Sequence, residues 1–229
     1  MISSTLILCC FICVILSSFA EESIINKEVS QIIDATGATV KYSVEVKATN
    51  VAGEYSFVFN NNWATHLAFI SVVSKGEKLN VHPPVRYESQ NNKFDNICLL
   101  CYSSKDNYTI ISVDVQEHSP TLKLKATFSD ILNPYPTAIT QLENQFVILE
   151  GNHYFLSPYK TLTQKTVFKL ASSTVESFTK LSPYSVRGSN IHFGPFKDIA
   201  PLSVRILYLN IYSANFLYVV FNSNCALFA

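Results

Sequence analysis

The stretch TLKLKATF, Thr121–Phe128, alternates without interruption. Leu122, Leu124, Ala126 and Phe128 fall on one side, and Lys123, Lys125 and Thr127 on the other. Successive side chains of an extended chain point to opposite faces, so this period of two predicts a strand with one face in a core and one in water.

The pattern repeats on both sides of that segment. In VKYSVEV, residues 40–46, Val40, Tyr42, Val44 and Val46 share a face. YSFVF (55–59), LAFISVV (67–73, apolar on both faces) and YTIISVDV (108–115) read as strands, as do QFVIL (145–149), HYFL (153–156) and TVFKL (166–170). Turn-forming residues separate them at 50–53, 75–77, 91–92, 119–120, 133–136 and 150–152. Short strands punctuated in this way predict a mainly β fold, an antiparallel β-sandwich-like domain with few short helices. Residues 28–35 suit a short helix or an edge strand, and residues 182–190 suit a loop rich in Ser, Asn, Pro and Gly.

A chain of 229 residues with 13% aromatic and 15% charged residues can bury a real core. Its 17 basic and 17 acidic residues cancel, so nothing favours binding to nucleic acid or to an anionic membrane surface.

The first twenty residues, MISSTLILCCFICVILSSFA, contain no charged side chain and have an apolar centre. Ser18 and Ala20 place small residues at −3 and −1 of a cleavage site, which predicts a signal peptide removed between Ala20 and Glu21. The alternative is an uncleaved anchor helix, for which the segment is short. Cleavage would remove Cys9, Cys10 and Cys13 and leave Cys98, Cys101 and Cys225. An odd number of thiols in an oxidising compartment is not a disulfide framework, so the core must hold the fold.

Candidate chemistry is sparse. In QFVILEGNHYFLSPY, Glu150, Gly151 and Asn152 are predicted to form a tight hairpin turn, since Gly takes positive φ and Asn tolerates it. His153 would then open the return strand. It lacks a second His at ligand spacing and an acidic or Cys cluster, so neither a metal nor a catalytic role is assigned to it. CLLC, Cys98 to Cys101, has the spacing of dithiol oxidoreductases. It sits in an apolar run of strand character, where positions i and i+3 face apart, and packed or partner-linked thiols are expected instead. Asn107-Tyr108-Thr109 is an N-x-[ST] sequon, which makes Asn107 the expected glycosylation site in a chain entering the secretory pathway. There is no G-x-S-x-G, P-loop, H-E-x-x-H or Gly-rich dinucleotide turn, and no cofactor is expected.

One long block carries a family resemblance. NPYPTAITQLENQFVILEGNHYFLSPYKTLTQKTVFKLASSTVESFTKLSPYS (133–185), followed by FGPFKDI (193–199), resembles the ribophorin I family in the order and spacing of its words PYPT, ITQ, QFV, EGNHYF, SPY, KLAS, VESFTKL and GPF. A weaker likeness runs from about residue 26 to 128, and the whole extends to about residue 203. The resemblance implies a lumenal β-rich part of a subunit of the oligosaccharyltransferase of the endoplasmic reticulum. That complex moves a preassembled oligosaccharide from dolichyl diphosphate to Asn in N-x-[ST] sequons. It further implies a non-catalytic role beside the catalytic subunit, contact with other subunits and with nascent polypeptides, and in the family a membrane anchor. The family's catalytic chain reads sequons with two adjacent Trp residues and holds the metal, whereas here Trp63 stands alone. No catalytic, cofactor or metal residue carries over.

The expected organisation is therefore a signal peptide over 1–20, a lumenal ribophorin-like β domain over 21–203 and an atypical apolar tail over 204–229, read as non-family sequence without the family's anchor. The tail holds an apolar run at 206–221 interrupted by Asn210, Ser213 and Asn215, against the about 20 apolar residues a spanning helix needs. Residues 133–140 and 182–190 are candidate contact loops. Two other readings stand beside the accessory subunit: a stand-alone secreted or lumenal β-sandwich binding protein, and a lumenal enzyme with His153 and nearby acids as its site.

Overall fold

The computed structural model describes residues 23–87, 108–137, 146–170 and 175–212. Among these the chain forms fifteen strands and one short helix. The largest sheet contains β1 (Ile25–Ala35), β2 (Val40–Thr49), β4 (Leu67–Ser74), β5 (Glu77–Lys78), β8 (Thr121–Phe128), β11 (Lys160–Leu170), β13 (Tyr184–Arg187) and β14 (Asn190–Ile199). Across it the order is β13-β14-β11-β1-β2-β8-β4-β5. A three-stranded sheet places β7 (Tyr108–Val115) between β3 (Gly53–Asn60) and β6 (Val85–Tyr87). A four-stranded sheet runs β12 (Val175–Phe178), β15 (Ile206–Tyr212), β10 (Phe146–Asn152), β9 (Leu132–Tyr135). All pairings between these strands are antiparallel except β1 with β11, which is parallel.

The buried faces of the three sheets meet in one core, as the sandwich-like reading anticipates. The large sheet contributes Val44, Leu122, Leu124, Phe128 and Phe168, the three-stranded sheet Tyr55, Phe57 and Ile111, and the four-stranded sheet Leu149, Leu207 and Leu209. Edge-to-face rings join the layers: Phe128 of β8 packs on Trp63 at 4.9 Å, and Tyr42 of β2 on Phe59 of β3 at 6.0 Å. Such pairs add about 0.5–1.5 kcal/mol each beyond the area they bury.

β7 and β8 have the predicted limits, and β2 extends the predicted strand by three residues. Other segments differ from expectation. Residues 28–35 are neither helix nor edge. They belong to β1, held between β2 and β11 in the interior of the large sheet. A bulge between Asn26 and Glu28 breaks the alternation, and the inward positions Asn26 and Gln31 are polar, which hides the strand from a hydrophobic pattern.

The predicted hairpin at 150–152 does not form. β10 continues through Glu150, Gly151 and Asn152, with Gly151 paired to Leu207, and Gly151 lacks the positive φ a two-residue turn requires. Residues 153–159 then cross from the four-stranded sheet to β11 in the large one, so HYFL is a crossover and not a strand.

The boundary expected after Ser203 does not end the fold. Ile206–Tyr212 is β15, an interior strand whose Leu207, Leu209 and Ile211 are buried. Residues 206–212 of the segment expected as an apolar tail thus form a strand. The loop expected at 182–190 contains β13, turned onto β14 at Gly188 with φ +58°. The turn expected at 133–136 contains most of β9.

Candidate functional site

The crossover within QFVILEGNHYFLSPY is held chiefly by polar side chains of other strands. Gln164 of β11 is fully buried. Its Nε2 donates to the main-chain oxygen of His153 (3.0 Å) and to Thr166 Oγ1 (2.9 Å), and its Oε1 accepts the Phe155 N–H (2.9 Å). Thr166 Oγ1 donates to the same His153 oxygen at 3.1 Å. Further along, Asn26 Nδ2 donates to Ser157 Oγ (2.9 Å) and Thr161 Oγ1 (3.2 Å), while Tyr55 Oη donates to Asn26 Oδ1 (2.8 Å). The Gln164 and Thr166 bonds satisfy the main chain at His153 and Phe155, and the Asn26 bonds tie the Ser157 side chain to β1.

His153 is 1% exposed. Its ring stands edge-on to Phe193 with centroids 4.6 Å apart, and neither ring nitrogen meets a partner at bonding geometry. Burial pushes its pKa down to about 4, which the Thr179 main chain offsets only in part. The imidazole is thus neutral and packed against Phe193. Among the described residues no group of three His, Cys, Asp or Glu is placed to hold a metal ion.

A real concavity lies next to this crossover. The short helix α1 (Asn61–Thr65) begins with Asn60, whose Oδ1 accepts the Trp63 N–H at 2.9 Å and caps it. Trp63 is buried, and its Nε1 donates to the Glu150 main-chain oxygen at 2.9 Å, which pins α1 to β10 across 87 residues of sequence. Between them opens a cavity of about 390 Å³. Asn60, Asn61 and Asn62 line one wall, and Glu150 to Asn152 another. Leu156, Tyr108, Val204 and Ile206 supply the apolar part.

The polar groups in this cavity have different duties. Asn152 serves the structure: its Oδ1 accepts the Arg205 N–H (2.7 Å) and the Tyr154 N–H (3.4 Å), and its Nδ2 donates to the Ser203 oxygen (3.3 Å). Those bonds hold the segment that presents Val204 and Ile206. Asn61 Oδ1, by contrast, is buried without a hydrogen-bond partner. The Glu150 side chain is exposed and forms no ion pair among the described residues. None of the lining residues is cationic.

Sequence reasoning missed this site, because its two walls are distant in the chain and neither carries a motif. The run Asn60-Asn61-Asn62 was the only local signal. Of the residues singled out from sequence, Ala20, Glu21, Asn107, Cys98, Cys101 and Cys225 lie outside the described residues. The rest of the sequon is in view: Tyr108 and Thr109 open β7, both 4% exposed, and the Thr109 hydroxyl has no hydrogen-bond partner.

The family model described as Ribophorin I matches residues 24–227. That span includes β15 and most of the segment set apart as a tail. Dolichyl-diphosphooligosaccharide–protein glycosyltransferase subunit 1A of Arabidopsis thaliana is 27% identical over 198 residues, which is 82% of this chain and 31% of that protein. Subunit 1 of the same name from Caenorhabditis elegans is 25% identical over 192 residues, again 82% of this chain and 31% of that protein. The chain therefore spans about a third of the length of these curated relatives. Among solved structures, an M1 zinc metallopeptidase from Deinococcus radiodurans aligns with 83% of this chain and 43% of its own at 8% identity and a TM-score of 0.42, too low to bear on fold or activity.

Proposed function

The chain belongs to the ribophorin I family, and from that premise we propose that it is a non-catalytic accessory part of the oligosaccharyltransferase of the endoplasmic reticulum. In this role it supports transfer of the dolichyl-diphosphate-linked oligosaccharide to Asn in N-x-[ST] sequons of nascent polypeptides. Its working side is the lumen, beside the catalytic subunit. The match over residues 24–227, together with relatives named as subunit 1 of that glycosyltransferase, carries the reading.

The physical layout supports scaffolding. Three sheets share one core, and the polar residues of the most distinctive sequence block serve to fix a crossover. His153, the one candidate for chemistry in that block, is buried and neutral. Contact surfaces are offered by β9 and the β13–β14 hairpin, where Tyr135, Tyr184 and Val186 are exposed. Such aromatic and aliphatic side chains suit the centre of a protein interface.

Affinity capture of the tagged chain from solubilised endoplasmic reticulum membranes tests the reading. Recovery of the other glycosyltransferase subunits is expected. Recovery only as a free species would support the stand-alone lumenal binding protein instead. The purified chain, mixed with a lipid-linked sugar donor and an acceptor peptide, is expected to leave both unchanged, and turnover in isolation would overturn the non-catalytic assignment.

A further inference from the structure

The faces that the sheets turn away from the core differ in kind. On the large sheet, the outward positions of β2 are Lys41, Ser43, Glu45 and Lys47, and those of β8 include Lys123, Lys125 and Thr127. That face is suited to water. On the four-stranded sheet, Val147 and Leu149 of β10 and Leu207, Leu209 and Ile211 of β15 are buried, so the alternate positions point outward. They hold Phe146 and Ile148 on β10, both half-buried, and Ile206 and Tyr208 on β15, which are 52% and 50% exposed. An antiparallel sheet with one wet face alternates apolar with polar along each strand, whereas strands apolar toward both sides belong to sheets covered on both. β10 and β15 are of the second kind over most of their length, and no described residue covers their outer side.

The sequence supplies a cover at the right place. β15 reaches Tyr212, opposite Phe146. Ser213, Ala214 and Asn215 come next, two of them turn formers, and then Phe216-Leu217-Tyr218-Val219-Val220-Phe221. No charged residue occurs from 213 to 229. The lengths agree: β15, with 7 residues, measures about 24 Å, and six returning residues measure about 20 Å. A chain that reverses after Tyr212 therefore runs from the Phe146 end of the face to the Ile206 end. Neighbouring strands lie about 5 Å apart, so one overlying segment spans β10 and β15 and leaves Tyr135 of β9 free.

A second copy docked on this face would leave residues 216–221 bare, and an uncharged apolar run of that kind is an aggregation hazard. A segment tethered by three residues also acts at an effective concentration of about millimolar, above that of a separate chain. The family match takes in the same residues, since it continues to 227.

We propose that residues 216–221 pack across the outer face of β10 and β15, over Phe146, Ile148, Ile206 and Tyr208. The apolar run thereby completes the sheet it follows. Assembly with other subunits is not required for this packing.

The test places p-benzoylphenylalanine in place of Glu150, an exposed residue opposite Tyr208 and toward the far end of β10 from Phe146. The purified full chain is irradiated, digested and sequenced by mass spectrometry. The expected product is an adduct within residues 216–221 of the same molecule, in a yield unchanged by dilution. An adduct to a second copy, to positions outside that run only, or to nothing overturns the proposal. Chymotryptic cleavage after Phe216, Tyr218 and Phe221 gives a second readout. Tyr208→Asp puts a charge on the face and is expected to speed this cleavage at least about tenfold, as release of a docked segment does. Lys125→Asp, on the outer side of the large sheet, is expected to leave the rate unchanged. Equal rates in all three proteins, or an equal rise in both variants, overturn it as well.

Discussion

The side-chain amide of Gln164 and the main chain of His153 are joined at 3.0 Å, and through that bond a residue in the large sheet dictates where the chain leaves the small one. The same amide takes the Phe155 N–H at 2.9 Å. Replacing Gln164 with Leu strands a buried donor and loses a donor to a buried acceptor. The expected loss is about 2–4 kcal/mol, since unmet buried groups cost about 1–3 kcal/mol each. A lower urea midpoint with an unchanged m-value would register it.

His153 should make stability depend on pH in a definite direction. Its folded pKa, about 4, lies below the ordinary value of 6.5, so between these the unfolded chain binds a proton that the folded chain does not. The contribution is complete above pH 6.5 and is lost as pH falls toward 4, up to about 3 kcal/mol. Carboxylates titrate in the lower part of that window, so the measurement is a difference. Melting temperatures of the wild type and His153→Phe, compared at pH 7 and pH 4.5, should converge or cross at the lower pH. A constant gap would contradict the assignment.

The Thr109 hydroxyl is needed for Asn107 to be read as a sequon, yet in the folded chain Thr109 is 4% exposed within β7. Sugar transfer to Asn107 is therefore expected before β7 pairs with β3. In cells the chain should carry an endoglycosidase-sensitive mobility shift that Asn107→Gln removes. Unglycosylated, refolded chain offered to an active oligosaccharyltransferase should stay unmodified, while urea-unfolded chain diluted into the same reaction should be modified.

Leu209 sits opposite Leu149 in the register of β15 with β10 and is wholly buried. Leu209→Asp places a carboxylate in the core and should cost more than about 4 kcal/mol. Ending the chain after Ser203 should be as damaging, because it removes β15 from the interior of its sheet. Expression of both forms, followed by partition between soluble and aggregated fractions, checks this.

How far the sequence disclosed the fold depended on how each strand is buried. β7 and β8 could be read directly, because each puts one apolar face inward with no bulge to interrupt the period. β1 could not, since Asn26 and Gln31 point into a core that satisfies them with Tyr55, Ser157 and Gln164, partners far away in the chain. Glu150-Gly151-Asn152 has the composition of a turn. What keeps it extended is pairing with Ile206 to Tyr208 and the Trp63 bond, and nothing local encodes either. The Gly194 of FGPF belongs with these. It has φ +95°, and a Cβ there would lie 2.6 Å from the Gln164 main-chain oxygen, so the glycine is demanded by a neighbour thirty residues earlier. The cavity is illegible for the same reason: its asparagines and its glutamate become neighbours only after three sheets have closed.

The parallel match of Ile25 with Lys160 sets a clock on this chain. One flank of β1 closes as soon as β2 is made, but the other has to wait until synthesis has advanced by about 135 residues, roughly 7–30 s at ordinary rates of elongation. Throughout that interval the oldest part of the molecule offers an open hydrogen-bonding margin to whatever stands at the exit. Stalled or shortened translation would leave that margin permanently bare, so the integrity of the earliest strand is decided by the delivery of a much later one.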